Sequence, residues 1–257
     1  MKVFVVSLAR SADRRKHMIA HLTQRGVDFE IFDAIEGALL SEEEIQKYCD
    51  MDALEKHAKW LNRGTIGACL SHYFIFKRII ELNLPSACII EDDIIVDKNF
   101  DKLLNAIDSS VIQDKKLTLL YYTSWNKIEL ETLNRSLSGE FGLYKIRNYE
   151  GLNSSAGYIV SQEACKRLVN VVLPIRMGPD NWAEFKRLGV MDEVTCIFPQ
   201  PLNNTHAKSS IEYLEAKSMT SKVADFVDKN KIFPFYQLLK QRRKMMSEKM
   251  MNIKIVS

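Results

Sequence analysis

The sequence predicts an α/β protein with a mostly parallel central sheet, and three segments at the start of the chain indicate this class. Lys2–Ser7 is short, β-branched and apolar, as buried strands are. Residues 11–25 form a polar helical segment that stops at Gly26, and Phe29–Asp33 has the composition of a second strand. A strand, a helix and a strand in this order begin a parallel sheet with helical crossovers.

The alternation of strands and helices continues along the chain. Ser41 and Glu44 have the spacing of a capping box, which predicts a helix over residues 41–58. A turn with two glycines, residues 64–67, precedes an amphipathic helix that stops before Pro85. The remaining predictions are strands at 87–90, 117–122, 154–160 and 194–198, helices at 101–108 and 161–172, a loop or hairpin at 129–147, and a tail helix interrupted at Pro234.

The composition is that of a soluble globular protein. The chain has 257 residues, enough for one sizeable domain, and 46% of them are hydrophobic against 27% charged. No apolar run approaches the roughly 20 residues that span a bilayer, and the apolar opening is too short for a signal peptide. Five scattered cysteines without a C-x-x-C pair argue against a disulfide scaffold or a zinc knuckle. We therefore expect a protein that stays in the cytoplasm.

Positive charge is concentrated at the carboxyl end of the chain. Residues 216–257 contain ten Lys and Arg against three Asp and Glu, a net +7, so the rest of a chain of net +3 carries −4. We therefore expect a domain over residues 1–215 and a basic helical tail over residues 216–257. The basic run 240–244 lies near Phe233, Phe235 and other apolar residues, which suits an anionic membrane surface. A helix packed on the body is the alternative, and the basic surface is too small for nucleic acid.

Three consecutive acids follow a predicted buried strand. Glu91, Asp92 and Asp93 come directly after the apolar residues 87–90. At the carboxyl end of a parallel strand they would point into the crevice where open α/β sheets bind ligands. Adjacent carboxylates repel each other unless a cation or donors lie among them, and oxygen ligands suit Mg²⁺ or Mn²⁺. The three acids therefore predict a metal that bridges to a phosphate, with a solvated acidic turn as the alternative.

A second candidate segment lies shortly before that strand. Gly64 and Gly67, in the turn that enters a helix, permit close approach of a ligand, and free amides there favour an anion. Ser71 and His72 follow in the first turns of the same helix. The alternative is an ordinary junction of loop and helix in which His72 is a partly buried polar residue.

The order of these motifs resembles glycosyltransferase family 25. The pattern G-x-x-G-x-x-x-S-H at residues 64–72 precedes a helix and then the strand that ends in E-D-D. The resemblance extends over about residues 1–211, with one departure at residues 123–125, where many members carry a small glycine-containing turn. Further matching segments are residues 6–15, the D-A-x-E-G run at 33–37, residues 151–161 and the Pro-Asp pair at 179–180.

The resemblance implies a GT-A type fold, a sandwich that binds nucleotide sugars, and a UDP-sugar donor used with Mn²⁺ or Mg²⁺. On this interpretation the end of the first strand holds the uridine and ribose, and Arg14 or Arg15 reaches a phosphate. The residues that the resemblance assigns to the donor are Ser7, Leu8, Arg10, Arg15, Asp33, Gly67, Ser71, His72, Glu91 and Asp92.

The resemblance also implies inversion at the anomeric carbon, which requires one displacement with the base across the sugar from the metal. Asp93 is the first choice for the metal ligand, and His206 is a candidate third ligand. The base takes the proton of the acceptor hydroxyl and should not also hold the metal. Asp180, in a Gly-Pro-Asp loop, is the first choice for the base, with Asp192 and Glu193 as alternatives.

Together these expectations describe an inverting glycosyltransferase that is cytoplasmic and peripheral to the inner membrane. It would move a hexose, galactose as the first choice, from UDP to a lipooligosaccharide or lipopolysaccharide acceptor through a β-linkage. UDP-glucose as the donor, metal-assisted phosphoryl chemistry, and a non-catalytic protein that binds nucleotide sugars at a membrane surface are the alternatives. No nucleic acid partner is expected.

Overall fold

One large sheet organises the protein. The computed structural model describes residues 1–107, 112, 116–204, 223–224, 226–227, 230–249 and 252–256. Its strands are β1 Lys2–Ser7, β2 Phe29–Asp33, β3 Ser86–Glu91, β4 Ile94–Val96, β5 Lys116–Leu119, β6 Thr123–Ser124, β7 Ile128–Ser136, β8 Gly142–Ile146, β9 Leu152–Asn153, β10 Gly157–Ser161, β11 Glu193–Phe198, β12 Leu202–Asn204 and β13 Ile253–Val256. Nine of them form the central sheet in the order β13-β7-β8-β11-β5-β10-β3-β1-β2.

The central sheet is mostly parallel, as predicted. β1 is parallel to both β2 and β3, β11 to β5, and β13 to β7. β8 and β10 run against their neighbours, so in this nine-stranded sheet seven strands share one direction. The chain leaves β1 for β2 on one side and later returns to place β3 on the other side. The strand order therefore reverses between β1 and β3, where open α/β sheets bind ligands at their carboxyl ends.

Helices cover both faces of the sheet and make the sandwich. They are α1 Ala12–Gln24, α2 Glu42–Tyr48, α3 Met51–Lys56, α4 Arg63–Glu81, α5 Phe100–Ala106, α6 Gln162–Val171, α7 Trp182–Arg187 and α8 Phe235–Lys249. Alternate residues of β1 point to opposite faces of the sheet. Phe4 packs with α4, α6 and α7 on one face, whereas Val5 packs with α1 and α5 on the other. Strands buried on both faces need continuous apolar runs, which is the pattern that predicted them.

Side-chain caps set where several helices begin. The predicted capping box of Ser41 and Glu44 is present at α2, and Ser161 caps α6 as expected. The predicted start of the helix after the glycine turn is wrong, because Asn62 Oδ1 accepts from the Thr65 N–H at 3.0 Å and α4 begins at Arg63. The two glycines therefore lie inside the first turns of α4 and not in a loop before it.

The carboxyl-terminal tail is not helical throughout. α8 is followed by β13, a β-branched segment that extends the sheet beside β7. The predicted hairpin at 129–147 is present as β7 and β8, with Gly139 in its turn at φ +60° and Gly142 already in the strand. His206 and the predicted boundary after residue 215 lie outside the described residues. No described helix combines the length and the apolar character that crossing a membrane requires.

Candidate active site

The predicted donor residues meet where β1 and β3 end side by side. Ser7 ends β1 and Leu8 follows it, while Glu91 ends β3. Asp92 and Asp93 form the turn into β4, which pairs with β12. β10 is antiparallel to β3, so the loop before β10 reaches the same edge. Three distant parts of the chain therefore converge where the strand order reverses.

Hydrogen bonds tie Asp92 into the floor of this crevice. Ser7 Oγ donates to Asp92 Oδ2 at 2.6 Å, and Arg14 Nη1 lies 3.3 Å from Asp92 Oδ1. The Asp92 side chain is only 9% exposed, and both of its oxygens have partners. Arg14 Nη1 also lies 3.8 Å from Asp93 Oδ2. The guanidinium of Arg14 thus stands between two carboxylates, and Asp92 serves to connect β1, α1 and the acidic turn.

Two further arginines border the end of β1. Arg15 Nη2 donates to the Ser7 carbonyl oxygen at 2.9 Å and to Asp33 Oδ1 at 2.7 Å. Arg10 is exposed, and its Nε lies 2.7 Å from Glu36 Oε1. These contacts place Arg15 and Asp33 together on the β2 side of the crevice, whereas Arg14 lies among the acids.

Glu91 has a strongly perturbed carboxyl group. Its Oε1 accepts from Ser155 Oγ at 2.8 Å and lies 4.0 Å from His72 Nε2. Burial, with a smaller contribution from the Asp93 charge, raises the pKa of Glu91 to about 8 against the opposing hydrogen bond from Ser155. Several carboxyl groups this close favour a protonated member unless a cation lies among them.

His72 and Ser71 support the crevice from beneath. The His72 side chain is 3% exposed, and its Nδ1 lies 2.7 Å from Tyr158 Oη. Burial lowers the pKa of His72 to about 4, so the ring is neutral at pH 7. Ser71 Oγ donates to the Gly67 carbonyl oxygen at 2.7 Å and accepts from the Ile35 N–H at 2.8 Å. Both residues hold other parts of the site in place, and their predicted contact with the donor stays a prediction.

The backbone of Gly67 packs closely against another segment of the protein and not against an open ligand site. A Cβ on Gly67 would lie 2.6 Å from both the Gly37 nitrogen and the Ile35 carbonyl oxygen. A Cβ on Gly37 would in turn lie 1.7 Å from the Arg63 carbonyl oxygen. The prediction that Gly67 leaves space for a ligand is therefore wrong, because the turn that follows β2 occupies that space. This packing fixes the segment after Asp33 against α4.

Asp180 reaches the same edge of the sheet through the loop before β10. Its Oδ2 accepts from the Ser154 N–H at 2.9 Å, and Trp182 Nε1 donates to the Ser154 carbonyl oxygen at 3.3 Å. Ser154 has a φ of +93°, which these two contacts hold. Burial raises the pKa of Asp180, against the hydrogen bond from Ser154. The Asp180 charge also helps to raise the pKa of Glu91, so the two groups share one electrostatic environment.

The two alternative bases lie at the opposite edge. Glu193 is the first residue of β11, which runs in the same direction as β3, so its backbone stands at the amino end of the sheet. Lys145 Nζ lies 3.2 Å from Glu193 Oε1, and Lys186 Nζ donates to the Asp192 carbonyl oxygen at 3.1 Å. Because the acids after β3 lie at the carboxyl edge, the structure excludes Asp192 and Glu193 as partners of that site.

The assignment of Asp93 as a metal ligand stays a prediction. Burial and the Asp92 charge raise its pKa while Arg14 lowers it, with burial as the largest effect. Among the described residues no three His, Cys, Asp or Glu side chains are grouped to hold a metal ion. The donors present fit a hard cation held by one or two carboxylates and completed by substrate phosphates, as Mg²⁺ commonly is. They do not fit a metal enclosed by protein ligands alone.

A cleft of about 500 Å³ adjoins the site. The residues that line it from the body are Tyr121, Thr123, Ser154 and Asn204, and those from α8 are Leu239, Arg242, Arg243 and Met246. Ser154 both lines the cleft and binds Asp180 through its N–H. In the described structure α8 thus faces the body across this cleft.

An open α/β sheet whose acids and arginines gather where the strand order reverses has the architecture of a nucleotide-binding protein. The chain belongs to glycosyltransferase family 25: residues 1–183 match the family described as glycosyltransferase family 25 (LPS biosynthesis protein). This range contains β1, the acids after β3, the loop before β10 and Asp180. The family and the α/β fold predicted from the motifs are therefore confirmed.

Several curated proteins are similar to this chain. Procollagen galactosyltransferase 2 of Homo sapiens is 24% identical over 218 residues, which are 78% of this chain and 34% of that protein. Lipooligosaccharide biosynthesis protein lic2B of Haemophilus influenzae is 28% identical over 168 residues, 64% of this chain and 61% of that protein. Inactive glycosyltransferase 25 family member 3 of Homo sapiens is 30% identical over 145 residues, 54% of this chain and 24% of that protein. The chain thus spans about a third of the first of these proteins and less than two thirds of the second.

The structure brings most of the predicted site residues together. Ser7, Arg15, Asp33, Glu91, Asp92, Asp93 and Asp180 surround one crevice, and Ser71 and His72 lie beneath it. Tyr158, the partner of His72, was not among the predicted site residues. A signal existed, because a tyrosine in a predicted buried strand needs a partner for its hydroxyl group.

Proposed function

We propose that the chain is an inverting transferase that moves a hexose, galactose as the first choice, from UDP to a lipooligosaccharide or lipopolysaccharide glycan through a β-linkage. The observation that carries the proposal is the convergence of Ser7, Arg14 and the acidic turn with Asp180 in a sheet of this family. The names of the matched relatives, a procollagen galactosyltransferase and a lipooligosaccharide biosynthesis protein, support the choice of sugar and acceptor. UDP-glucose is the alternative donor.

The donor would be held by two groups of residues. At the end of β1, Ser7, Leu8 and Arg10 contact the nucleoside, together with Arg15 and Asp33. On the other side of the crevice Arg14 reaches a phosphate, and Asp93, supported by Glu91, holds Mn²⁺ or Mg²⁺. When bound there, the metal neutralises the charge that develops on the departing UDP. Arg14 supplies positive charge to the same group.

Asp180 is the proposed base. In a single displacement the acceptor oxygen bonds to the anomeric carbon while the bond from that carbon to the UDP oxygen breaks, and Asp180 takes the proton of the acceptor hydroxyl. Burial raises the pKa of Asp180, which makes its carboxylate a stronger base. The Ser154 N–H binds one carboxylate oxygen of Asp180 at 2.9 Å and fixes its position.

We propose that the protein acts in the cytoplasm on the surface of the inner membrane. The tail carries the excess positive charge of the chain, and Phe233, Phe235, Leu238 and Met245 are exposed on and beside α8. Basic charge next to exposed apolar side chains suits an anionic bilayer surface. A membrane-anchored acceptor glycan would be within reach of an enzyme bound there.

Turnover of the Asp180→Asn variant tests the proposal. The assay uses UDP-galactose or UDP-glucose, Mn²⁺ and deacylated lipooligosaccharide, with NMR of the new linkage. We expect a β-linked hexose from the wild-type protein and a 10²- to 10⁴-fold lower kcat for Asp180→Asn, with UDP affinity retained. Asp28→Asn, an exposed acid paired with Lys2 at the amino edge of the sheet, is the matched control.

Three results would contradict the proposal. Near-normal turnover of Asp180→Asn would remove Asp180 as the base. Phosphate release from nucleotides without any sugar transfer would favour phosphoryl chemistry. UDP binding without turnover with any acceptor would favour the non-catalytic alternative, which the match to an inactive family member makes the second candidate.

A further inference from the structure

We propose that the cleft between α8 and the body binds an acidic sugar of the acceptor, one that carries a phosphate or a carboxylate, and that Arg242 recognises its acidic group. The inference rests on the proposed transferase function, because it assigns this cleft to the acceptor side of that site. It gives the tail helix a role in substrate selection.

The body side of the cleft has the chemistry of a carbohydrate site. Tyr121, Thr123, Ser154 and Asn204 line it, and their hydroxyl and amide groups can both donate to and accept from sugar hydroxyls. The volume of about 500 Å³ lies in the range of small-molecule sites and is large enough for one or two sugar rings. The body wall by itself therefore recognises hydroxyl groups and does not select for charge.

The helix side of the cleft adds positive charge. Leu239, Arg242, Arg243 and Met246 have the spacing of one helical face, and all four line the cleft. Arg242 is exposed and has no hydrogen bond or ion pair within the described residues. A guanidinium binds a phosphate or a carboxylate through two parallel N–H donors. Arg242, opposite a wall that carries hydroxyl and amide groups, therefore selects a sugar that carries an acid.

The cleft also adjoins the proposed base. Ser154 is part of its lining, and the Ser154 N–H binds Asp180 Oδ2 at 2.9 Å. A glycan in the cleft would thus contact Ser154, the residue whose N–H binds the proposed base. The acidic turn after β3 lies at the same edge of the sheet and carries negative charge, so an acidic acceptor sugar is directed to the arginine side.

Binding of three probes tests the proposal: glucose, glucose 6-phosphate and glucuronate. They are titrated into the full chain by NMR, first without metal or nucleotide and then with saturating UDP and Mg²⁺. We expect at least one acidic sugar to bind tenfold or more tightly than glucose in both conditions. Arg242→Gln should reduce that preference about tenfold, and Arg242→Lys should restore part of it.

Lys240→Gln is the matched control, since it removes the same charge from α8 at a position outside the cleft lining. It should leave acid-sugar binding in solution unchanged, and UDP affinity should be equal in all variants. Equal binding of neutral and acidic sugars, or an unchanged preference in Arg242→Gln, would overturn the proposal. Displacement of the acidic sugars by UDP would also overturn it, because they would then occupy the diphosphate position. Acid-sugar selectivity in a protein that binds no UDP would contradict the transferase proposal alone.

Discussion

At the scale of single residues, the site consists of acidic side chains that a few hydrogen-bond donors hold close together. Ser7 and Arg14 hold Asp92, Ser155 holds Glu91, and the Ser154 N–H holds Asp180. Three consecutive carboxylates after an apolar strand stand out in the sequence, so the acids were predictable. Their partners come from distant segments, and no local pattern connects Ser7 with Asp92.

Glu91 should make the protein less stable as the pH rises. The folded-state pKa of Glu91 is raised to about 8 from an ordinary value of 4.5. Between these values the unfolded chain releases the proton that the folded protein keeps, so folding stability falls with increasing pH. We expect Glu91→Gln to gain roughly 1–2 kcal/mol of stability relative to wild type from pH 5 to pH 8, a figure reduced for the partial exposure of the side chain.

Urea unfolding at a series of pH values, without metal or nucleotide, measures this difference. The same Glu91→Gln variant should lose metal-dependent UDP affinity. In the apo protein the ionised form of Glu91 is unfavourable, and a bound cation would stabilise that form. A stability difference that stays constant from pH 5 to pH 8 would contradict the raised pKa.

At the scale of elements, the packing of α4 against the turn after β2 positions the site. Local signals were sufficient for the caps at Ser41 and Ser161, since both depend on residues within three positions. The same kind of signal at Asn62 was overlooked, and the start of α4 was therefore misplaced. The role of Gly67 could not be found locally, because the backbone that it contacts belongs to the segment after β2.

Gly67→Ala distinguishes the two interpretations of that glycine. A glycine inside a helix costs about 1 kcal/mol relative to alanine, so a site that only made room for a ligand would become more stable. Because the new Cβ would lie 2.6 Å from backbone atoms of Gly37 and Ile35, we expect a loss of about 1–3 kcal/mol instead. Chemical denaturation of the apo protein measures the sign. Increased stability with weaker UDP binding would favour the ligand interpretation.

At the scale of the whole molecule, the α/β class, the parallel start and the position of the crevice followed from the sequence. Apolar runs identified most of the central strands, and the rule for strand-order reversal then identified the binding edge. The contribution of the tail did not follow. The β-branched run at β13 was a usable strand signal. The position of α8 beside the cleft depends on contacts between distant parts of the chain, which no local pattern indicates.

Binding to lipid vesicles tests the proposed position of the protein at a membrane. We expect the chain to sediment with vesicles that contain phosphatidylglycerol and not with neutral phosphatidylcholine vesicles. The double variant Phe235→Ser and Leu238→Ser should bind at least tenfold more weakly, since each side chain contributes roughly 1–2 kcal/mol when buried in the interface. A matched change of Leu39→Ser, also exposed but remote in sequence from the tail, should have no effect. Unchanged binding of the double variant would contradict the membrane role.

The most direct test of the central claim is calorimetry of UDP binding with and without Mn²⁺. We expect metal-dependent binding by the wild-type protein, its loss in Asp93→Ala, and its retention in Asp28→Ala, whose carboxylate lies at the opposite edge of the sheet. Circular dichroism establishes that each variant is folded. Undiminished metal-dependent binding by Asp93→Ala, or no UDP binding by the folded wild-type protein, would contradict the claim that this crevice is the donor site.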